Sequence, residues 1–271
     1  MLEASDINIF LGRHHIVKDV SLRAEPGSFV AIIGPNGSGK TTLLRALTAE
    51  IPFNGKATMN GIDIGFAPAR ELATWRGVLP QSARLSFPFT VHEVVRLGLT
   101  MGVHEPARDA ARVAQALEAV DLSGFAGRFY QELSGGEAQR VQLARVLAQV
   151  WEPVFEGRPR YLFLDEPISS LDIKHQVQIL SLALDYARAG GCVIAVLHDL
   201  NLAAHFADQV HLMSGGTLHA SGTSRDVMTK ANLEAVYDCP MSVGEKPPEQ
   251  QFFVLPHLST DTGPDRWGSR H

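Results

Sequence analysis

A glycine-rich segment with a single lysine carries the strongest chemical signal in this sequence. It reads GPNGSGKT from residue 34 and fits the pattern G-x-x-x-x-G-K-[ST], in which backbone N–H groups and a helix N-terminus bind phosphate. The pattern needs a strand before it and a helix after it, and the runs FVAII and TTLLRALTAEI supply both. The candidate nucleotide-binding residues of this phosphate loop are Gly34, Pro35, Asn36, Gly37, Ser38, Gly39, Lys40, Thr41 and Thr42.

Two segments supply the groups that hydrolysis of a nucleoside triphosphate needs. In the phosphate loop, we expect Lys40 to reach the β- and γ-phosphates and the Thr41 hydroxyl to bind Mg²⁺. The segment YLFLDEP (161–167) is an apolar strand that ends in two carboxylates. Asp165 is a candidate Mg²⁺ ligand through water, and Glu166 is a candidate base that polarises the attacking water.

Three weaker signals follow the same logic. His198, in VLHDLN, ends another apolar run; such a histidine is usually structural, but beside a γ-phosphate it would sense that phosphate. Gln81, after GVLP, is a candidate member of the Mg²⁺ shell. The run LSGGE (133–137) opens a helix with two glycines and no lysine, so it is either a second anion site or only a helix cap. In the cap interpretation Ser134 is the N-cap and Glu137 stands at N3.

The elements that must position these residues alternate between strands and helices. The apolar runs at 161–165, 192–197 and 209–213 predict buried parallel strands, and therefore a doubly wound α/β core. Little strand signal appears between 88 and 150, where we expect an inserted helical part, and 151–160 is predicted to be a loop. The predicted apolar face of the helix at 105–120 consists of Ala110, Val113, Ala114, Leu117 and Val120.

Composition excludes several classes of protein. The chain has 271 residues and a net charge of −5, which argues against nucleic acid as a partner. Its cysteines, Cys192 and Cys239, are far apart and indicate neither a disulfide framework nor zinc. The sequence shows no signal-peptide pattern and no apolar run near the ~18 residues that span a bilayer. Any membrane part is therefore expected on other chains.

The order of the motifs carries a family resemblance. Phosphate loop, Gln81, LSGGE, LDEP, SSLD (169–172) and His198 together resemble the nucleotide-binding subunit of ATP-binding cassette (ABC) transporters over about residues 3–240. The resemblance implies a P-loop NTPase (RecA-like) α/β core with an N-terminal antiparallel β subdomain and an inserted helical subdomain. It implies one ABC ATPase domain, with the core at about 1–85 and 158–240, the helical subdomain at about 86–157, and a C-terminal tail at 241–271.

The resemblance also implies partners and cofactors. In that family two subunits face head to tail and each ATP, with Mg²⁺, lies between one phosphate loop and the partner's signature loop. Ser134, Gly135, Gly136 and Glu137 would then serve the partner's nucleotide, and Asp172 would lie at the homodimer interface. A transmembrane permease dimer would bind the ATPase at the cytoplasmic face of the inner membrane, as a peripheral subunit, with an extracytoplasmic substrate-binding protein acting indirectly. A permease helix would enter a groove near Gln81–Leu97.

The residues leave the adenine contact and the cargo open. Where the family stacks adenine on an aromatic residue this chain has Leu11, so adenine could meet Phe10, His14, His15 or only apolar groups; HH at 14–15 otherwise predicts a surface turn. The runs 86–98, 133–151 and 196–223 resemble the ATPases of haem, ferric siderophore and cobalamin importers, and WEPVFEGRPR (151–160) resembles the haem type. Three alternatives are less favoured. A non-transport ABC protein shares these motifs, but the chain has one motif set, no heptad run and an acidic balance; exporters commonly carry a fused membrane domain; and a soluble P-loop kinase would use LSGGE only as a helix cap.

Overall fold

The structure is a computed structural model, and it describes residues 1–81, 85, 87–101, 106–245 and 254–256. The strands of these residues are, in chain order, β1 (Leu2–Leu11), β2 (His14–Ala24), β3 (Phe29–Ile33), β4 (Asn54–Met59), β5 (Ile62–Asp63), β6 (Arg76–Leu79), β7 (Val154–Phe155), β8 (Arg158–Pro159), β9 (Tyr161–Asp165), β10 (Cys192–Val196), β11 (Gln209–Ser214) and β12 (Thr217–Gly222). The helices are α1 (Lys40–Leu47), α2 (Ala69–Trp75), α3 (Val91–Met101), α4 (Pro106–Ala119), α5 (Gly135–Gln149), α6 (Ile173–Arg188), α7 (Leu200–Phe206), α8 (Ser224–Val227) and α9 (Lys230–Tyr237). A 3₁₀ turn, Tyr130–Glu132, precedes α5.

A largely parallel sheet forms the core. Its strand order is β12-β11-β3-β10-β9-β6, and only β12, at one edge, pairs antiparallel with its neighbour. Every residue of β3, β9 and β10 is buried, because helices cover both faces of the sheet. The predicted runs at 161–165 and 192–197 therefore form buried parallel strands, and the run at 209–213 forms β11, which is buried except at its two end residues, Gln209 and Ser214. Cys192 is a buried member of β10.

A second sheet, antiparallel, confirms the predicted N-terminal β subdomain. Its strand order is β2-β1-β4-β5, with Leu2 opposite both Ala24 on β2 and Met59 on β4. The alternation in β1 and β2 turns one face inward, where Ile7 and Ile9 join the same apolar cluster as α1 and the parallel sheet. This packing holds the antiparallel sheet over the helix that follows the phosphate loop.

Three helices, α3, α4 and α5, lie between β6 and β9 along the chain and confirm the predicted helical insertion. The predicted face of α4 is wrong in part: Ala110 and Ala114 are exposed, and Ala116 is buried beside Val113 and Leu117. The buried stripe follows a spacing of three and four residues, as an amphipathic helix requires. Alanine side chains are too small to mark the buried face of a helix from sequence.

The predicted loop at 151–160 contains a short antiparallel hairpin, β7 paired with β8. Partly buried ionic contacts hold it: Glu152 accepts from Arg160 Nη1 at 3.2 Å and from Arg112 Nη2 of α4 at 2.7 Å. The Arg160 guanidinium lies 4.3 Å from the Phe155 ring centroid and its Nε donates to the Thr74 carbonyl. The segment thus links the helical insertion to the parallel sheet.

The predicted C-terminal tail lies mostly outside the described residues. Its described part, 241–245 and 254–256, contains no helix or strand. Within the part of the chain that the structure describes, no helix is both long enough and apolar enough to cross a membrane.

The close approach of α3 to α5 predicts that a side chain at Gly98 destabilises the protein. A Cβ on Gly98 of α3 would meet the Arg145 carbonyl oxygen and lie 3.0 Å from its carbonyl carbon, and backbone atoms cannot rotate away. We expect Gly98→Ala to lower the free energy of unfolding by about 1–3 kcal/mol, as overpacked cores do. Urea denaturation followed by circular dichroism measures the difference.

Gly127→Ala is the matched control, because a Cβ at Gly127 meets nothing within 4 Å. The urea concentration at the midpoint of unfolding of Gly127→Ala should stay at the wild-type value. Equal losses in the two variants would contradict the close helix contact.

Candidate functional site

Four adjacent strands end at one edge of the parallel sheet, and each delivers a predicted site residue there. The phosphate loop follows β3, His198 follows β10, Asp165 ends β9 and Gln81 follows β6. The register aligns these ends: Val196 is opposite both Ile32 and Asp165, and Leu79 is opposite Leu164. Residues at the carboxyl ends of parallel strands share one crevice, which is where α/β proteins bind ligands.

The phosphate loop needs glycine at its turning points. Gly34, Gly37 and Gly39 have φ of +145°, +77° and +99°, a region that side chains rarely adopt. A Cβ on Gly34 would also collide with the Met213 carbonyl oxygen. Gly39 is the N-cap of α1, so the loop ends at a helix N-terminus, whose backbone N–H groups and partial positive charge bind anions.

Lys40 places a buried positive charge inside this loop. Its Nζ donates to the Gly34 and Pro35 carbonyls, each at 2.9 Å, and the residue is 5% exposed. Burial lowers the pKa of Lys40, while the nearby carboxylates of Glu166 and Asp165 act in the opposite direction. The ammonium is thus desolvated and only partly neutralised, which suits it to phosphate.

Thr41 and Asp165 meet directly, although 124 residues separate them. The Thr41 hydroxyl donates to Asp165 Oδ1 at 3.0 Å. Burial raises the pKa of Asp165, the hydrogen bond from Thr41 lowers it, and the neighbouring Glu166 raises it further. A buried carboxylate beside a hydroxyl is a set of hard oxygen donors, which fits a divalent cation such as Mg²⁺.

Glu166 lies under unusual backbone constraint. Its φ is +51°, in the left-handed region, where a residue with a side chain is held at a cost of about 1–3 kcal/mol. Its Oε1 lies 2.6 Å from Nε2 of His198, and the side chains are 17% and 41% exposed respectively. The predicted phosphate sensor and the predicted base are therefore hydrogen-bonded partners, which the sequence did not indicate.

The segment Ser134–Glu137 is a complete capping box. Ser134 is the N-cap of α5, its hydroxyl accepts from the Glu137 N–H, and the Glu137 carboxylate accepts from the Ser134 N–H at 2.8 Å. That hydrogen bond is the main reason that the pKa of Glu137 is lowered. The cap interpretation is confirmed, but it accounts for the N-cap and N3 donors only. The N–H groups of Gly135 and Gly136 have no acceptor within the helix.

The two glycines of this segment have different surroundings. A Cβ on Gly135 would meet nothing within 4 Å, so the fold does not explain a glycine there. A Cβ on Gly136 would lie 3.0 Å from the Ser170 carbonyl oxygen and 3.2 Å from Leu171 Cδ2. The open side of Gly135 leaves room for an anion to approach the helix N-terminus.

Gln81 and Asp172, two further predicted site residues, are more exposed than Lys40 and Asp165. Gln81 lies two residues beyond β6, level with Glu166 in the register, and is exposed. Asp172 is exposed and is the N-cap of α6, where its Oδ1 accepts from the His175 N–H at 2.9 Å and lies 2.8 Å from His175 Nδ1. Capping by the His175 N–H is the main reason that the pKa of Asp172 is lowered.

The histidine pair near the N-terminus is not a turn. His14 and His15 begin β2, and the turn is formed by Gly12 and Arg13. The His15 ring stacks on Phe10 with centroids 4.1 Å apart and planes 12° apart. Phe10 remains 50% exposed, so an aromatic surface is available close to the expected adenine position.

Sequence reasoning missed Gln139. This residue of α5 donates from Nε2 to the Glu166 carbonyl at 2.9 Å and accepts from the Ser170 N–H at 3.3 Å. The sequence offers one indication of its place: Gln139 follows Gly135 and Gly136 by one helical turn, and residues three and four apart share a helix face. Nothing in the sequence connects it to Glu166, which is 27 residues away.

Comparisons with known proteins agree with this geometry. The family model described as ABC transporter matches residues 17–169. The chain is 54% identical to the hemin import ATP-binding protein HmuV of Jannaschia sp. (strain CCS1), with 97% of each chain covered. It is also 54% identical to the HmuV protein of Rhizobium meliloti (strain 1021), covering 96% of this chain and all of that one.

Solved structures show the same architecture at lower identity. A dimeric bacterial ABC transporter cassette superposes with a TM-score of 0.72 at 27% identity, covering 83% of this chain and 99% of that one. A bacterial Atm1-family ABC exporter with ATP bound gives a TM-score of 0.74 at 26% identity, covering 86% of this chain and 40% of that one.

The buried position of Lys40 predicts its contribution to phosphate binding. We expect Lys40→Ala to weaken binding of a fluorescent ATP analogue by at least about 10-fold, because a charge-assisted contact to phosphate contributes ~1.5–3 kcal/mol. Fluorescence titration measures the dissociation constant. Lys56→Ala is the control, because Lys56 is an exposed lysine of β4. Unchanged affinity in Lys40→Ala would refute the phosphate-loop assignment.

Proposed function

The chain belongs to the ABC transporter family, and from this premise we propose that it is the ATP-hydrolysing subunit that powers hemin import through a separate membrane permease. The observation that carries the proposal is the convergence of the phosphate loop, Asp165, Glu166 and His198 at one sheet edge. The cargo rests on the relatives named hemin import ATP-binding protein, which are about half identical over nearly the whole chain.

The phosphate loop binds the triphosphate of ATP. Lys40 and the N-terminus of α1 neutralise phosphate charge, and the flanking glycines let backbone N–H groups approach. Thr41, Asp165 and Gln81 are the residues that would hold Mg²⁺. When bound, that ion neutralises charge on the β- and γ-phosphates.

Glu166 is the general base of hydrolysis. Its carboxylate accepts a proton from water as the water oxygen bonds to the γ-phosphorus, and the bond from phosphorus to the β–γ bridging oxygen breaks to give ADP and phosphate. His198 lies within hydrogen-bond distance of that carboxylate and so orients it. From the same position His198 reaches the γ-phosphate when ATP is bound.

A second subunit completes each site. Ser134, Gly135, Gly136 and Glu137 form the signature loop, whose uncapped N–H groups bind the γ-phosphate held by the partner's phosphate loop. Within the described residues, the side chains of Ser134 and Glu137 bond each other and Arg128, and none bonds the phosphate loop of the same chain. In this proposal two copies face head to tail and enclose two ATP molecules, with Asp172 at their interface.

A groove beside the helical insertion is the permease contact. Its volume is about 430 Å³, and its lining includes Arg76, Val78, Leu97, Gly98, Arg145 and Gln149. Leu97 is 39% exposed, and among the described residues Arg145 Nε is buried without a hydrogen-bond partner. A helix that offers an apolar face and an acceptor for Arg145 fits this groove. ATP-driven closure would move that helix and so act on the permease.

The contact between Glu166 and His198 predicts a trapped state. We expect Glu166→Gln to keep ATP affinity, lose ATPase activity by about 10²–10⁴-fold, and accumulate as an ATP-bound dimer, because only the base is removed. Phosphate release and size-exclusion chromatography with ATP measure the two effects. Glu118→Gln, on the exposed side of α4, should behave as wild type. Normal turnover by Glu166→Gln would exclude Glu166 as the base.

Growth on a single iron source tests the cargo. Cells that lack this chain and are starved of other iron should fail to grow on hemin, and wild-type protein, but not Glu166→Gln, should restore growth. Ferric siderophore as the iron source is the control and should support growth of the deletion strain. Normal growth of that strain on hemin would refute the hemin assignment and favour a siderophore or cobalamin importer, without affecting the ATPase assignment.

A further inference from the structure

The side chain of Gln139 connects α5, the helix that begins in the signature loop, to the end of β9, where Glu166 lies. The amide of Gln139, on α5, donates from Nε2 to the Glu166 carbonyl at 2.9 Å, and its Oε1 accepts from the Ser170 N–H at 3.3 Å. Only one orientation of the amide satisfies both contacts, because one partner is an acceptor and the other a donor. The side chain therefore fixes two backbone groups, the Glu166 carbonyl and the Ser170 N–H, relative to α5.

The backbone of Glu166, whose carbonyl Gln139 contacts, is conformationally constrained. Glu166 has a left-handed backbone, its N–H donates to the Val196 carbonyl at 3.2 Å, and Pro167 follows with no N–H of its own. The Glu166 carbonyl also accepts from Ser169 Oγ at 3.2 Å, within the same turn. Gln139 is thus the contact to this carbonyl that comes from the helical insertion.

The signature loop packs against the same turn. Gly136 approaches the Ser170 carbonyl so closely that a Cβ would lie 3.0 Å from it. The close backbone contact at Gly136 and the hydrogen bond from the Ser170 N–H to Gln139, one turn later on α5, hold the segment Ser169–Asp172 at Ser170. A displacement of the start of α5 therefore displaces this segment and the Glu166 peptide.

We propose that Gln139 is a positioning residue that couples the two nucleotide sites of the dimer. The inference rests on the proposed function, in which the signature loop of one subunit binds the partner's ATP while Glu166 of that subunit acts on its own ATP. When the partner's γ-phosphate draws in the signature loop, Gln139 transmits the displacement to the Glu166 peptide. Each site then reaches full activity only when the other holds ATP.

The chain offers a matched control for this link. Gln176 of α6 contacts the same segment through other backbone groups: its Nε2 donates to the Leu171 carbonyl at 3.0 Å and to the Ile168 carbonyl at 3.3 Å. Gln176 does not belong to the helical insertion. Removing its amide loosens the segment without breaking the contact to the signature helix.

The test compares Gln139→Leu and Gln176→Leu in the full-length protein assembled with its permease in lipid nanodiscs. ATPase rates over a range of ATP concentrations give kcat, KM and the Hill coefficient, which cannot exceed the number of coupled sites, about 2. For Gln139→Leu we expect unchanged ATP affinity, a kcat lower by roughly 10- to 100-fold from misplacement of Glu166, and a Hill coefficient near 1. For Gln176→Leu the Hill coefficient should stay at the wild-type value.

The outcomes separate the inference from the function on which it rests. A Gln139→Leu protein with wild-type cooperativity would overturn the inference, and so would an equal loss of cooperativity in both variants. A wild-type protein that neither dimerises with ATP nor hydrolyses it would refute the proposed function instead. If Gln139→Leu does not fold, Gln139→Glu repeats the test, because it keeps the size and the acceptor for the Ser170 N–H and replaces the donor to the Glu166 carbonyl with a charged acceptor.

Discussion

The parallel pairing of β3, β10, β9 and β6 is the constraint on which the site depends. Strands buried on both faces have no place for a charged side chain until they end, so polar groups collect where the strands stop. Asp165 is the last residue of its strand and Glu166 the first beyond it. Since the register aligns four such ends, groups from distant parts of the chain meet there, each at or just beyond the end of its own strand.

The backbone at the same end of the sheet is conformationally constrained, both in the phosphate loop and at Glu166. Glycines of the phosphate loop take left-handed conformations at no steric cost, whereas Glu166 takes one as a residue with a side chain. Its carbonyl and N–H are both hydrogen-bonded to other elements, and its carboxylate contacts His198. The surrounding contacts therefore fix the proposed base, Glu166, in a single orientation, which would reduce the reorganisation that hydrolysis otherwise requires.

Sequence patterns predicted the parts of this structure that depend on local chemistry. The phosphate loop, the buried strands FVAII, YLFLD and CVIAV, and the capping box at Ser134 all follow from spacing and residue type. The hairpin at 151–160 did not, because Arg112, 40 residues from Glu152, helps to hold it. The contacts of His198 and Gln139 with Glu166 were missed for the same reason: they join side chains to groups that only the folded sheet brings near.

The signature loop shows why a structural and a functional interpretation of one motif need not compete. Ser134 and Glu137 cap each other, which satisfies the N–H groups at the N-cap and at N3 and stiffens the start of α5. That arrangement leaves the N–H groups of Gly135 and Gly136 facing outward from a rigid helix end. A flexible loop could bind phosphate, but it would absorb any displacement that binding causes. In the proposed mechanism, a capped helix transmits the displacement along α5 to Gln139, and from there to Glu166, the proposed base for the ATP that the same subunit's phosphate loop holds.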